Sequence, residues 1–232
     1  MAQELSHSAS LAYGLGTGAR LHQYLREGPA TQELAETVIA LSSEQGFPQF
    51  LAMGAFLRGW ALVEQGWGEQ GVAQMRQGLI AVQATGAEQW RPYFLALLAG
   101  AYGKVGQAEE GLRVLSEALA GVHKKGEREH EAELHRLKGE LTLAQSSVQG
   151  LKSRVKEVEE CFLKAIEIAR KQQAKALELR AVMSLSRLWQ QQGKHHEAHS
   201  MLSEIYNWFT EGFDTKDLQE AKALLDSLAS SV

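Results

Sequence analysis

The sequence predicts an all-α protein, an α-solenoid of five antiparallel helix pairs followed by a C-terminal capping helix. The first observation is a series of small residues at a step of forty. These residues are Gly46, Gly86 and Gly126 in one set and Gly59, Ala99 and Gly139 in another. Regular recurrence over about 20–50 residues is typical of repeat arrays. The second observation is that the 232 residues include three prolines, so that long helices can form almost everywhere.

The first repeat, about 4–45, contains two predicted helices. A turn at Gly28-Pro29 separates them, because proline suits the first position of a helix. In the second of these helices, Leu34 and Val38 recur at the spacing of one helix face. The first helix is rich in glycine, which costs roughly 1 kcal/mol per residue relative to alanine. Close packing on a neighbouring helix would make that composition tolerable.

The second and third repeats, 46–85 and 86–125, each contain two predicted helices separated by a glycine. These glycines are Gly66 and Gly106, and each can end a helix in the left-handed conformation. Pro92 lies in the first turn of a predicted helix, where the missing backbone N–H costs little. Both repeats are therefore predicted as helix–turn–helix units.

The fourth repeat, 126–172, departs from the forty-residue step. Residues 146–153 contain serines and a glycine and have the composition of a loop. A shift of about seven residues restores the repeat pattern beyond them. The fifth repeat, 173–212, is then divided at Gly193. We therefore predict a loop insertion near 146–153.

The capping helix is predicted over 214–229. Asp214 or Thr215 offers an N-cap for it. Its apolar residues recur on one face, and these are Leu218, Ala221, Leu224, Leu225 and Leu228. A helix of this kind can cover the open end of a repeat stack. The whole chain, 1–232, is thus predicted as a single solenoid domain.

Charge and composition argue against several classes of protein. The formal net charge is −4, from 24 Lys and Arg against 28 Asp and Glu, so there is no basic excess for nucleic-acid binding. Cys161 is the single cysteine, so no intrachain disulfide can form. The sequence shows neither a signal-peptide pattern nor about 18 consecutive apolar residues. We expect a cytoplasmic protein that has no cofactor. We also expect that it binds neither nucleic acid nor a membrane.

Large and small residues alternate regularly in the third repeat. They are Leu95, Leu98, Ala99, Tyr102, Gly106, Gly111, Leu115 and Ala118. This spacing resembles the tetratricopeptide (TPR) repeat, in which small residues let helices approach and large ones fill the gaps. The second and fifth repeats match the same pattern in part. The repeat is longer here, at about 40 residues rather than about 34. The resemblance implies a TPR-like α-solenoid.

Four longer strings extend the resemblance over much of the chain. They are GFPQFLAMGAFLRGWALVEQG (46–66), ELHRLKGELTL (133–143), CFLKAIEIARKQQAKALELR (161–180) and YNWFTEGFDTKDLQEAKALL (206–225). They are similar to the TPR-like C-terminal tail of large bacterial signalling proteins that carry an adenylate/guanylate cyclase domain and an AAA-type ATPase domain. This sequence contains no G-x-x-x-x-G-K-[ST] phosphate loop. The resemblance implies a sensory or interaction module, without an activity of its own.

Few residues have the spacing of a metal or catalytic site. His195 and His199 are four residues apart and share a helix face, with His196 between them. No third ligand is evident, so we predict a solvated helix start rather than a metal site. Cys161 is predicted to be a small core residue. The sequence shows no nucleophile–base pair or paired acids, and we predict no enzymatic activity.

The TPR resemblance also implies a concave groove lined by the first helix of each pair. The groove residues would include Tyr13, Arg20 and Tyr24; Met53, Phe56 and Trp60; Tyr93, Ala96 and Lys104; Glu133, Arg136 and Glu140; and Arg180, Met183, Arg187 and Gln190. Aromatic side chains beside arginines are favoured in peptide recognition. The alternative is that Phe56 and Trp60 pack between helices and that the arginines are solvated.

These features favour a scaffold that binds a protein or peptide in the groove. Two other functions stay open at this point. One is a small-molecule effector site within a signalling ATPase or cyclase, which would show as ligand-dependent thermal stabilisation. The other is self-association through the end helices into a homo-oligomer.

Overall fold

The computed structural model describes residues 2–87, 90–126, 128–145 and 148–230, and this part of the chain forms eleven helices and no strands. The helices are α1 (Ala2–Tyr24), α2 (Gly28–Gln45), α3 (Pro48–Glu64), α4 (Gly68–Ala84), α5 (Arg91–Lys104), α6 (Ala108–Lys125), α7 (Glu131–Gln145), α8 (Val148–Lys171), α9 (Lys175–Gln191), α10 (His195–Tyr206) and α11 (Lys216–Ala229). The predicted all-α class, with five helix pairs and a last helix, is confirmed. Within the described ranges, no helix has the length and apolar character needed to cross a membrane.

Contacts between Cα atoms divide the chain into two compact units. The first unit is Met1–Gln107 and contains α1 to α5, and the second is Ala108–Val232 and contains α6 to α11. In each unit, consecutive helices pack against one another. The first helices of successive pairs also touch, α3 against α1 and α5 in the first unit and α9 against α7 and α11 in the second. The assignment of 1–232 to a single domain stays a prediction.

The glycines that set the forty-residue step occupy turns with a left-handed backbone. Gly46 has φ of +71°, and the N–H of Phe47 after it donates to the carbonyl of Ser42 at 2.9 Å. That bond satisfies a carbonyl that the helix end would otherwise leave open. The other glycines with positive φ are Gly66, Gly86, Gly106, Gly126, Gly193 and Gly212. At the turn from α1 to α2, Arg26 takes this conformation instead, with φ of +62°.

A second group of glycines brings helices α3 and α4 into backbone contact. A Cβ atom added to Gly59 would lie 2.8 Å from the carbonyl oxygen of Gly71 and 2.8 Å from the backbone nitrogen of Met75. A Cβ atom on Gly71 would lie 2.5 Å from the carbonyl oxygen of Gly59. All three distances are too short for real side chains, so this pair of helices can pack this closely only with glycine at these positions.

Replacing Gly59 with alanine is expected to lower the free energy of unfolding of the first unit by about 1–3 kcal/mol, because α3 and α4 must move apart. Gly14 is the matched control, because a Cβ atom there would meet no other atom within 4 Å. Gly14→Ala should instead raise stability by about 0.5–1 kcal/mol, through a better helix propensity. Urea denaturation followed by circular dichroism compares the two. Equal effects of the two substitutions would contradict the close helix contact.

The predicted loop near 146–153 is corrected by the structure. Residues 146–147 lie outside the described residues, but α8 begins at Val148, so 148–153 are helical. The physical reason is the spacing of Leu151, Val155, Val158 and Phe162, which recur at the period of one helix face without an intervening proline. One glycine at 150 costs only about 1 kcal/mol against that pattern. The added residues therefore lengthen α8.

The last helix is present as α11, Lys216–Ala229, close to the predicted 214–229. Thr215 lies at its N-cap position, but its hydroxyl donates to the carbonyl of Gly212 at 2.6 Å and makes no capping bond to the helix. The predicted apolar face is buried in the core of the second unit, where Leu218, Ala221 and Leu228 pack with residues of α8, α9 and α10. Helix α11 thus belongs to the hydrophobic core of that unit.

Candidate functional site: a cleft beside Arg20

Three of the aromatic residues predicted to line the groove lie in the core of the first unit. Phe56 is 0% exposed, Trp60 5% and Tyr93 2%. The ring of Phe56 packs on that of Phe94 with centroids 4.6 Å apart. Helix α3, which carries Phe56 and Trp60, is contacted by α1, α2, α4 and α5. Tyr93 lies on α5 and is buried as well, so none of the three side chains offers a partner a free face. Phe56, Trp60 and Tyr93 are therefore packing residues, as the alternative interpretation of Phe56 and Trp60 had it.

Two further residues from the predicted groove are also buried. Ala96 is 4% exposed in the first unit, and Met183 is 2% exposed in the second. Met183 lies in the same apolar core as Leu179 and Val182. Because the first helix of each pair is contacted from several sides, most of its large side chains are needed to fill the interior. The residues left at the surface are fewer and more polar than the TPR pattern alone implies.

Tyr13, Arg20 and Met53, by contrast, come together around a cleft in the first unit. The cleft has a volume of about 130 Å³. Its walls come from α1, α3 and α5, from Val82 in α4, and from Ala87 and Trp90 before α5. Besides the three predicted residues, Thr17, Phe50 and Trp90 line the cleft. Tyr13 is 61% exposed, so the cleft opens to solvent on that side.

Arg20 has an unusual environment at this cleft. Its Cζ atom lies 3.3 Å from the ring centroid of Trp90, a stacked cation–π contact, and 5.3 Å from that of Tyr93. Its Nε is buried and has no hydrogen-bond partner among the described residues. Arg20 also hydrogen-bonds the hydroxyl of Tyr93, which in turn donates to Oε1 of Gln23 at 2.7 Å. The guanidinium is thereby held in one position beside the cleft.

The hydroxyl of Tyr93 stays protonated in this environment. Burial raises the pKa of Tyr93, the neighbouring Tyr24 raises it further, and the charge of Arg20 opposes both only in part. A neutral hydroxyl does not neutralise Arg20. The positive charge of Arg20 is therefore uncompensated within this chain of hydrogen bonds.

The other cationic residues predicted for the groove have carboxylate partners. Lys104 pairs with Glu64 in the first unit. In the second unit Nε of Arg180 lies 2.5 Å from Oδ2 of Asp217, and Nη2 of Arg187 lies 3.5 Å from Oε2 of Glu220. No described carboxylate pairs with Arg20. Arg20 differs from these residues in having a charge that a ligand can still neutralise.

Arg136 is at the centre of an ion-pair network in the second unit. It donates from Nε to Glu133 at 2.8 Å, from Nη2 to the same carboxylate at 2.6 Å, and from Nη1 to Glu140 at 2.5 Å. Ser184 of α9 donates its hydroxyl to Glu140 at 2.8 Å. Burial acts to raise the pKa of Glu133, but the charge and hydrogen bonds of Arg136 outweigh it and lower that pKa to about 2. Ser184 also accepts a hydrogen bond from Nη1 of Arg136 at 3.4 Å, so this network links α7 to α9.

His195, His196 and His199 lie in the first turns of α10, and the Nδ1 of His199 is 3.4 Å from the hydroxyl of Ser203. Across the described ranges, no group of three or more His, Cys, Asp or Glu side chains is arranged to hold a metal ion. Cys161 is buried, as predicted for a small core residue, and burial raises the pKa of its thiol.

Sequence patterns missed the residues that complete the cleft. Trp90 lies just before α5, outside the helical positions that the TPR resemblance assigns to the groove. Phe50 is in the first turn of α3, and Thr17 is on α1 three residues before Arg20. A usable signal is the tryptophan two residues before Pro92. An aromatic residue at such a helix start is held near the neighbouring helix ends.

Two solved structures are similar to this chain. Both carry the description kinesin light chain, nearly identical TPR-like repeats, from Podosopora anserina. A single-substitution variant matches with a TM-score of 0.55 at 22% identity, covering 86% of this chain and 94% of that chain. The other matches with a TM-score of 0.53 at 21% identity, covering 84% and 93%. The chain has a TPR-like helical-repeat fold. No protein-family model and no curated protein matches it.

Proposed function

We propose that the chain is a non-catalytic scaffold that binds an extended segment of a protein or peptide partner at the cleft beside Arg20. The observation that carries this proposal is the cleft itself, where Trp90, Phe50 and Tyr13 surround an arginine that stacks on Trp90 and pairs with no described carboxylate. Aromatic and arginine side chains contribute most of the affinity at protein interfaces. TPR-like folds, which present faces of packed helices, are suited to such contacts.

The size of the cleft favours a peptide over a free metabolite. Pockets for small molecules usually have volumes of about 300–1,000 Å³. A cleft of about 130 Å³ accommodates one side chain of a longer partner. The rest of the partner would then lie along the exposed face of α1 and past the first turn of α3, where Gln49 is exposed. This counts against the small-molecule effector alternative at this site, which a metabolite screen by thermal shift would test.

The test uses peptides selected from a random library on the immobilised full chain. Replacing Trp90 with alanine should weaken the selected peptides by about tenfold or more, because Trp90 supplies the wall of the cleft and the stacking partner of Arg20. Trp67→Ala is the matched control, since Trp67 is 63% exposed in the same unit and lies outside the cleft. Isothermal titration measures both. Equal losses in the two variants, or no loss in either, would exclude the cleft as the binding site.

Self-association stays a second candidate because of the exposed face of α1. Leu11 is 46% exposed and Leu21 57% exposed on that helix. Apolar side chains of this size at an end helix are suited to a second copy of the chain. Light scattering on the full chain at several concentrations tests it, and a constant monomer mass would exclude it.

The wider setting of the protein is also part of the proposal. The four sequence strings support a role in bacterial signalling, as a module beside a cyclase or ATPase. A cytoplasmic location is the setting that such a role would require. Co-purification of the chain from its native cells with a cyclase or ATPase would support this setting.

A further inference from the structure

We infer that the cleft selects a partner segment carrying an aspartate or glutamate side chain, whose carboxylate binds the guanidinium of Arg20. This inference rests on the proposed function, because it names the chemistry of the partner at the same site. The Nε of Arg20 is a buried donor that has no acceptor among the described residues. A buried N–H without an acceptor is unfavourable, so an acceptor placed there by a ligand gains a hydrogen bond that the free protein lacks.

The charge balance of the cleft selects an anionic acceptor. Arg20 is the only charged side chain among the described residues that line it. The remaining polar wall groups are neutral, namely Tyr13, Thr17 and Gln49, together with the indole of Trp90. Among the described lining residues, a carboxylate would therefore meet one cation and no competing negative charge. Carboxylates and guanidinium groups form the strongest common hydrogen bonds in proteins.

Arg20 is also prepared for binding before the partner arrives. Trp90 lies over its guanidinium at 3.3 Å from Cζ, so that a ligand would have to approach the N–H groups rather than this covered face. The chain from Tyr93 to Gln23 fixes the other side of the guanidinium. An arginine held in this way loses little conformational freedom on binding.

The apolar walls set the second requirement on the partner. Phe50, Met53 and Phe94 line the interior and offer no charged or hydrogen-bonding side chain. An apolar side chain of the partner would fill this space while its acidic neighbour reaches Arg20. Side chains two residues apart in an extended segment lie on the same side, about 7 Å apart. The expected partner motif is an apolar residue with an acidic residue nearby in sequence.

The first test changes the peptide and leaves the protein intact. Each selected peptide is synthesised with its acidic residues replaced one at a time by the matching amide, Asp→Asn or Glu→Gln. One replacement should weaken binding to the unaltered chain by about tenfold to a hundredfold. The same peptide with an amidated C-terminus should bind as before. Loss on amidation of the C-terminus would overturn the assignment to an acidic side chain.

The second test combines that peptide pair with substitutions in the protein. In the Arg20→Gln variant the acidic and amide peptides should bind within about twofold of each other, because the charge that distinguishes them is gone. Arg76→Gln is the matched control, an exposed arginine of α4 outside the cleft, and it should keep the full preference. A preserved preference in Arg20→Gln would overturn the inference. The comparison stays informative if Arg20→Gln weakens folding, because the first test needs no variant.

Failure of the inference can be told apart from failure of the proposed function. Peptides that depend on Trp90 but not on an acidic residue would overturn the carboxylate preference and leave the binding site in place. Peptides that do not depend on Trp90 would overturn both. Peptides that lose binding in Trp90→Ala and on one acid-to-amide change would support both.

Discussion

Replacing Phe56 with alanine lowers the free energy of unfolding of the first unit by about 3–5 kcal/mol. The ring of Phe56 is fully buried between helices and packs against Phe94. Its removal leaves a cavity that α3 cannot close, because α1, α2, α4 and α5 surround that helix. Urea denaturation followed by circular dichroism, or amide hydrogen exchange of α3, measures the loss.

Tyr13→Ala is the control for this prediction, since Tyr13 was assigned to the same groove by sequence but is mostly exposed. It should change stability by no more than about 0.5 kcal/mol. The two variants distinguish a residue that packs in the core from a residue that lines the groove at the surface. The sequence pattern assigned both residues to the groove. If Phe56→Ala left stability unchanged, Phe56 would be a surface residue. The packing of α1, α2, α4 and α5 around α3 would then be wrong.

Replacing Arg136 with methionine should destabilise the second unit by about 3 kcal/mol at neutral pH. Methionine keeps the apolar stem of the side chain but removes the charge that neutralises Glu133. The carboxylate of Glu133, whose side chain is only 16% exposed, is then left without its bidentate partner. The double variant Glu133→Gln with Arg136→Met should recover most of the loss, because the charge of Glu133 is removed as well. Glu140 also loses Arg136, but its side chain is 39% exposed and keeps the hydrogen bond from Ser184. No recovery in the double variant would show that packing, rather than charge, explains the effect.

The pH dependence of this effect follows from the lowered pKa of Glu133. Its folded-state pKa of about 2 lies below the ordinary value of 4.5. The contribution of the pair to stability is therefore fully present above about pH 4.5 and is lost as the pH falls towards 2. The difference between the natural chain and Arg136→Met should shrink over that range. Thermal denaturation at a series of pH values measures it, and a difference that grew on acidification would contradict the ion pair.

The repeat architecture could be predicted because its signals are local. A left-handed turn favours glycine, and a backbone contact such as that between Gly59 and Gly71 tolerates nothing larger, so both recur with the repeat. The ion pairs from Arg136 to Glu133 and Glu140 could be predicted for the same reason, since residues three and four apart meet on one helix.

Features that depend on distant segments could not be predicted. Whether Phe56 faces the core or a groove depends on how α1 and α5 pack over α3, and spacing along one helix does not specify that. The pair of Arg180 and Asp217 joins residues 37 positions apart on two helices. Trp90 lies between helices, so no helical period indicates that it stacks on Arg20. The start of α8 was missed because serine and glycine are also tolerated within a helix that has a strong apolar face.

The cleft beside Arg20 can be tested most directly by recording the indole N–H signals of the full chain during titration with a selected acidic peptide. Proton–nitrogen correlation spectra resolve one such signal for each tryptophan. We expect the signal of Trp90 to shift, because Trp90 forms a wall of the cleft, while those of the exposed Trp67 and Trp208 stay in place. A bound peptide that shifts Trp67 or Trp208 and leaves Trp90 unchanged would contradict the cleft as the binding site.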